Sequence, residues 1–313
     1  MRISLDALLV LDSISRNGSF AAAGEELHRV PSAITYTIQK LEQDLEVKLF
    51  DRSGHRAKLT EAGEELLREG RHLLRSATDL ECRVKRAATG WETELRIALD
   101  DIIPTERLFP LLKDFYKEGS GTRIKLTAEI LGGCWDALLS GRADMVIAAP
   151  GDAPPEGSLA IESMGQFEFV FVVAPEHPLA GAPEPLSVQD LLQHRAVTAA
   201  DTSRNLPPRS SGTLGSQDHL SVPSMRAKMA AHIAGIGVGY LPQLWAAPHI
   251  AAGRLLRKEV EGSKPLTNVY LAWHPRQAGK ALKWFLQRLR DRKVQEYVLG
   301  ESGNYPGAEK QAP

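Results

Sequence analysis

Ser32, Thr35, Tyr36, Gln39 and Lys40 recur at three- and four-residue steps, so a helix puts them on one face, opposite Ile34, Ile38, Leu41 and Leu45. Hydroxyls, an amide and an ammonium on one surface are the groups that hydrogen-bond base edges in a major groove. A solvated polar face is the plainer alternative, but cations gather just beyond it. From Lys48 to Lys58, Lys48, Arg52, Arg56 and Lys58 face a single anion, Asp51. His55 and Arg56 fall at the tip of a short hairpin, where they suit a minor groove. Arg52 suits a phosphate or minor-groove contact, or a pairing with a carboxylate of the preceding helix. The net charge of −1 gives no such argument, so placement alone carries it.

A second set lies where strands end and helices start: Asp100, Asp101 and Thr105; Gly132, Gly133 and Cys134; Asp201 and Thr202; Gly239 and Pro242. In α/β domains ligands bind in the crevice beyond the carboxyl ends of the strands. Gly132-Gly133 would bring amides at a helix N-terminus to an anion or a polar ring substituent. Asp100 and Asp101 would repel a carboxylate, so the expected ligand is neutral or hydroxylated, a small phenolic aromatic being one such; helix capping explains Asp101 and Thr105 equally well. Cys134 at a helix start invites a redox reading, yet a disulfide switch needs a resolving partner and Cys82 falls on a long helix, so a buried thiol is expected. His177, His194, His219, His232, His249 and His274 lack metal-ligand spacing. No metal and no cofactor is expected.

These residues need elements to hold them. Residues 3–15 carry a helical apolar pattern that stops at Asn17-Gly18, Ser19 caps a second helix ending near Arg29, and Pro31 opens a third, which together make a helix-turn-helix. The polar stretch 51–56 reads as a two-stranded wing, and Thr60 caps the next helix. Residues 61–88 form one helix of about 42 Å with a heptad seam, Leu66, Gly70, Leu73, Ala77, Leu80, Val84 and Ala87. A second copy is the natural partner of Leu66, Leu73, Ala77, Leu80 and Val84; packing on the chain's own domain is the alternative. Beyond Thr89-Gly90, strands at 95–99, 124–129, 145–149, 167–173, 196–200, 237–241 and 269–273 alternate with helices at 105–117, 135–140, 225–234, 243–252 and 281–290, the signature of an α/β domain. Residues 151–157 look like a hinge between two lobes. The expected division is 1–60, a linker 61–90, an effector domain 91–300 with one lobe of 91–160 and 268–297 and another of 161–267, and a disordered tail 301–313.

The pieces Phe20-Ala21-Ala22-Ala23, Glu26-Leu27-His28, Ser32-Ala33-Ile34-Thr35, Gln39-Lys40-Leu41-Glu42, Leu49-Phe50-Asp51-Arg52 and Leu59-Thr60-Glu61-Ala62-Gly63 resemble the LysR-type transcriptional regulators. Within that family, Trp91-Glu92 and residues 131–138 look most like the YhaJ subgroup. The resemblance implies a winged helix-turn-helix, a linker helix and a two-lobed domain like the periplasmic binding proteins. It also implies a double-stranded DNA operator, a small-molecule effector, a homodimer or homotetramer, and RNA polymerase as a partner if the protein activates. DNA contacts are expected from Ser19, Ala21, Pro31, Ser32, Thr35, Tyr36, Gln39, Lys40, Arg52, His55 and Arg56. Where the family commonly opens its recognition helix with Ser-Gln, this chain has Val30-Pro31, so base reading passes to Ser32, Thr35, Tyr36 or Gln39.

Other classes fit less well. A composition 43% hydrophobic and 25% charged is that of a globular chain, and no apolar run approaches a membrane span. The first residues lack the pattern of a signal peptide, which favours the cytoplasm over an exported solute-binding protein. G-x-S-x-G, P-loop and H-E-x-x-H patterns are missing, and the glycines of residues 235–239 fail the dinucleotide fingerprint, so no enzyme is expected.

Overall fold

Ser4 and Gly18 mark out the first helix. In the computed structural model, which describes residues 2–51, 58–151, 159–263 and 266–306, α1 runs Leu5–Asn17. The Ser4 hydroxyl accepts from the Ala7 amide at 3.1 Å, and Gly18 closes the helix at φ +70°. The helix thus starts two residues later than the apolar pattern suggested and ends at the expected Asn17-Gly18 stop. The second helix, α2 (Phe20–Glu26), is capped by Ser19 and stops before Arg29. Pro31 opens α3 (Pro31–Leu45), and β1 (Phe50–Asp51) pairs antiparallel with β2 (Lys58–Leu59). Leu11, Ile14, Ala23, Ile34, Ile38, Leu41 and Phe50 close one core around these elements.

Two compact units divide the chain, 1–84 and 85–313. Helix α4 (Glu61–Thr89) starts in the first, and its seam has two fates. Leu66 and Leu67 pack into the helix-turn-helix core, and Gly70 lies so close to α1 that a Cβ there would be 2.8 Å from Leu8 Cδ2. Further along, Leu73, Leu80 and Val84 are exposed, Val84 by 63%. Leu66, partly buried, thus packs on its own domain, the alternative reading of the seam, because α4 covers the three-helix core.

In the second unit β3 (Glu94–Asp100) pairs in parallel with β4 (Arg123–Glu129) and β5 (Met145–Pro150). The long β6 (Ala160–Val173) pairs through residues 160–168 with β11 (Leu266–Trp273), which is also antiparallel to β5. From Phe169 onward β6 pairs instead with β9 (Gly239–Pro242) and β10 (Leu256–Lys258). The strand that the alternation marked only at 167–173 thus runs from one lobe into the other. A parallel pair, β7 (Ala196–Ala199) and β8 (His219–Val222), completes the second lobe with α7 (Val188–Leu192), α8 (Met225–Ile233) and α9 (Gln243–Ala251).

On the first lobe lie α5 (Phe109–Tyr116), α6 (Gly132–Leu139), α10 (Lys280–Leu289) and α11 (Arg292–Leu299). Phe115 anchors this side, its ring 4.9 Å from Phe285 and 5.2 Å from Trp284. The helix expected over 105–117 splits at Pro110 into a 3-10 turn (Thr105–Leu108) and α5. The proposed tail is ordered as far as Tyr305, which is buried and donates to Asp114 at 3.1 Å. Residues 307–313, and all of the hinge expected at 151–157 except Gly151, lie outside the described residues.

Candidate nucleic-acid interface and effector cleft

On α3, Ile34, Ile38 and Leu41 are buried while Ser32, Tyr36, Gln39 and Lys40 are exposed, Tyr36 by 65%. Thr35 is half-buried and donates to the Pro31 carbonyl at 3.0 Å, which leaves its oxygen free to accept. The Ser19 hydroxyl already accepts from the Ala22 amide at 3.1 Å, so it holds α2 in place; Ala21 and Pro31 are exposed beside the polar face. Arg52, His55 and Arg56 lie outside the described residues. The base of the wing is fixed by Glu42, a buried carboxylate that accepts from the amides of Leu49 at 2.8 Å and Phe50 at 3.3 Å and from Lys48 at 3.2 Å. Burial alone would raise its pKa, but these donors hold it below the ordinary glutamate value. A glutamate among the apolar positions Ile38, Leu41 and Leu45 was the available signal for it.

The second unit encloses a cavity of about 450 Å³ between its lobes. Asp100, Asp101 and Leu131 line it from the first lobe, and Phe171, Lys228 and Tyr240 from the second. Asp100 is buried, accepting from the Ile102 amide at 3.0 Å and the Cys134 thiol at 3.4 Å, and burial pushes its pKa up to about 7. Asp101 is also raised by burial, and it accepts from the Met225 amide at the start of α8 at 2.5 Å, a bond from lobe to lobe. Burial, then the Asp100 charge, pushes the Cys134 thiol well above its usual value, the opposite of a reactive thiolate.

Beside the cavity the lobes are joined by a second cluster. The Gly132 amide donates to Asp201 at 3.0 Å; Thr202 donates to Glu129 at 2.5 Å and accepts from the Ile130 amide at 2.9 Å. A Cβ on Gly133 would collide with Thr202 Oγ1. The glycines therefore admit the loop after β7 rather than a ligand, and the helix N-terminus expected to hold an anion holds Asp201. Asp136, one turn into α6, is buried and accepts from Arg142 at 2.8 Å and from the amides of Arg204, Asn205 and Leu206 at 3.2, 2.9 and 3.0 Å. Arg142 also pairs with Glu129.

Residues 5–64 match the family model described as bacterial regulatory helix-turn-helix protein, lysR family, and residues 88–293 match the LysR substrate binding domain. The chain belongs to the LysR family. In Escherichia coli K12, the uncharacterized HTH-type transcriptional regulator YeeY is 40% identical over 91% of this chain and 92% of its own length. The probable HTH-type transcriptional regulator YhaJ of the same organism is 39% identical over 92% and 96%. Full-length CbnR in complex with its target DNA superposes with a TM-score of 0.61 at 20% identity, covering 93% of this chain and all of that one, a likeness of fold. The LysR chain is thus a DNA-binding transcriptional regulator with an N-terminal helix-turn-helix and a two-lobed α/β domain.

Of the ten residues proposed for the effector, Asp100, Asp101 and Gly239 line the cavity of this LysR protein. Gly132, Gly133, Asp201 and Thr202 form the cluster beside it. Cys134 is sealed behind Asp100, Thr105 opens the 3-10 turn, and buried Pro242 ends β9. Lys228, Tyr240, Phe169 and Phe171 were not among them, because nothing local in the sequence separates a wall-lining side chain from a core one. No helix among the described residues is long and apolar enough to cross a membrane, and no cluster there could hold a metal.

Proposed function

We propose that this LysR-type regulator reads an operator through the exposed face of α3 and the wing, and responds to a small molecule bound in the cavity between its two lobes. The observation that carries the second part is the cavity's construction: its walls come from both lobes, so an occupant changes the free energy of one lobe arrangement relative to another. On DNA, Gln39 reads a base edge and Ser32, Thr35 and Tyr36 flank it, with Lys40 beside them. Arg52, His55 and Arg56 serve the backbone and minor groove from the wing. The exposed stripe Leu73, Leu80 and Val84, with Ala77 between, joins two copies, and dimers pair further into a tetramer or remain as they are. The cytoplasm, and RNA polymerase as a partner in activation, follow from that role.

Mobility-shift titrations on the DNA upstream of the protein's own gene, at two salt concentrations, test the DNA reading. Gln39→Ala should change sequence preference by about 1–3 kcal/mol at one base position. Arg56→Ala should weaken all sequences alike and reduce the salt slope by about 1. Unchanged affinity in both variants removes the groove assignment.

A further inference from the structure

Among the described residues of the second unit two lysines are buried, and their surroundings differ. Lys258, 8% exposed, pairs with Glu184 at 2.9 Å and donates to the carbonyls of Ala180 and Ala182 at 3.2 and 2.9 Å. Lys228, 6% exposed and on the cavity wall, has no hydrogen-bond or ion-pair partner among the described residues. A buried charge is normally paired, and one that is not needs an explanation. Its neighbour one turn along, His232, cannot supply a counter-charge. Burial and the Lys228 charge depress His232 to about 4, so it is neutral. Lys228 itself is lowered by burial to about 8 and stays mostly cationic at neutral pH.

Three acids also line the cavity, Asp100, Asp101 and Glu261, and none makes a hydrogen bond or ion pair with Lys228 among the described residues. Asp101 receives the Met225 amide, and Asp100 receives the Ile102 amide and the Cys134 thiol. The cavity thus offers, beside its carboxylates, one cation without an ion pair among the described residues, a site for an anionic group that the sequence reading did not count. Around it the wall is aromatic: Phe169, Phe171 and Tyr240, with the Phe171 and Tyr240 rings edge to face at 5.2 Å.

We propose that the ligand of this cavity is a small aromatic organic acid whose anionic group pairs with Lys228 while its ring lies against Phe169, Phe171 and Tyr240. This rests on the effector reading above and narrows it to a chemical class. A charge-assisted contact to a buried ammonium discriminates between an acid and its uncharged isostere.

The test is titration calorimetry at pH 7 on the full-length protein with three matched pairs: benzoate and benzamide, 1-naphthoate and 1-naphthamide, indole-3-acetate and indole-3-acetamide. At least one acid should bind ten-fold or more tightly than its amide. Lys228→Met should weaken that acid at least ten-fold and change the amide by less than two-fold. Methionine has similar length and removes a buried charge, so the variant should fold; the preference of the wild-type protein reads the same point without it. Amides binding as well as acids would overturn the pairing with Lys228 and leave the cavity as an effector site. Failure of all six compounds to bind would overturn both readings.

Discussion

Replacing Asp136 by asparagine tests how the loop after β7 is tied to the first lobe. The carboxylate is 1% exposed; Oδ2 accepts from Arg142 at 2.8 Å and Arg204 at 3.2 Å, and Oδ1 from Asn205 at 2.9 Å and Leu206 at 3.0 Å. Asparagine keeps one acceptor and turns the other into a donor, so whichever way it sits at least two N–H groups lose their partner and face an NH2. A broken buried ion pair costs about 3–5 kcal/mol, of which each orphaned N–H accounts for about 1–3 kcal/mol. For a domain of this size about 1 kcal/mol moves Tm by about 2–4 °C, so Asp136→Asn should lower the calorimetric transition of the second unit by about 10 °C. Hydrogen exchange should show the amides of Asn205 and Leu206 losing protection. The sign with pH follows from the depressed pKa: burial would raise Asp136, but Arg142 and the three amides outweigh it and lower it. Its stabilisation is therefore present above the unfolded value of about 3.9 and lost as pH falls through the folded one, so wild type and variant should converge in acid. A transition within about 1 °C of wild type at pH 7, with protection intact, would refute the tether.

Asp100 has the opposite linkage. Its folded pKa of about 7 lies above the unfolded value, so its contribution is full below about pH 4 and is lost as pH rises to about 7, a swing of up to about 4 kcal/mol. Asp100→Asn should gain stability relative to wild type between pH 4 and 8, and parallel denaturation midpoints across that range would contradict it. On α4, Leu80 is 55% exposed and Leu67 is buried. Leu80→Glu should shift sedimentation toward monomer while the first unit melts as before; Leu67→Ala should cost that unit about 2–5 kcal/mol and leave its association unchanged. Equal sedimentation of Leu80→Glu and wild type would remove the stripe as an interface.

What the sequence settled on its own was local. The apolar steps of α3, the Ser19 and Pro31 starts, the Gly18 stop and the LysR motifs all lie within a few turns of one another, and helix periodicity and capping act over that range. The crevice at the ends of β3 and β9 was legible too, since the fold rule places ligands there and Asp100, Asp101 and Gly239 line it. The rest required pairings across long stretches of chain. Gly132 meets Asp201 and Asp136 meets Leu206 about seventy residues away, so a helix N-terminus that looked free is filled by the protein itself. Leu66 and Leu80 are alike in the heptad, and only the position of α1 and the core beneath α4 divides them. The same holds for the two lysines: Lys258 finds Glu184 and Lys228 finds no partner among the described residues, a difference made by tertiary distance, because a charge's energy depends on what surrounds it in space and not on its neighbours in sequence.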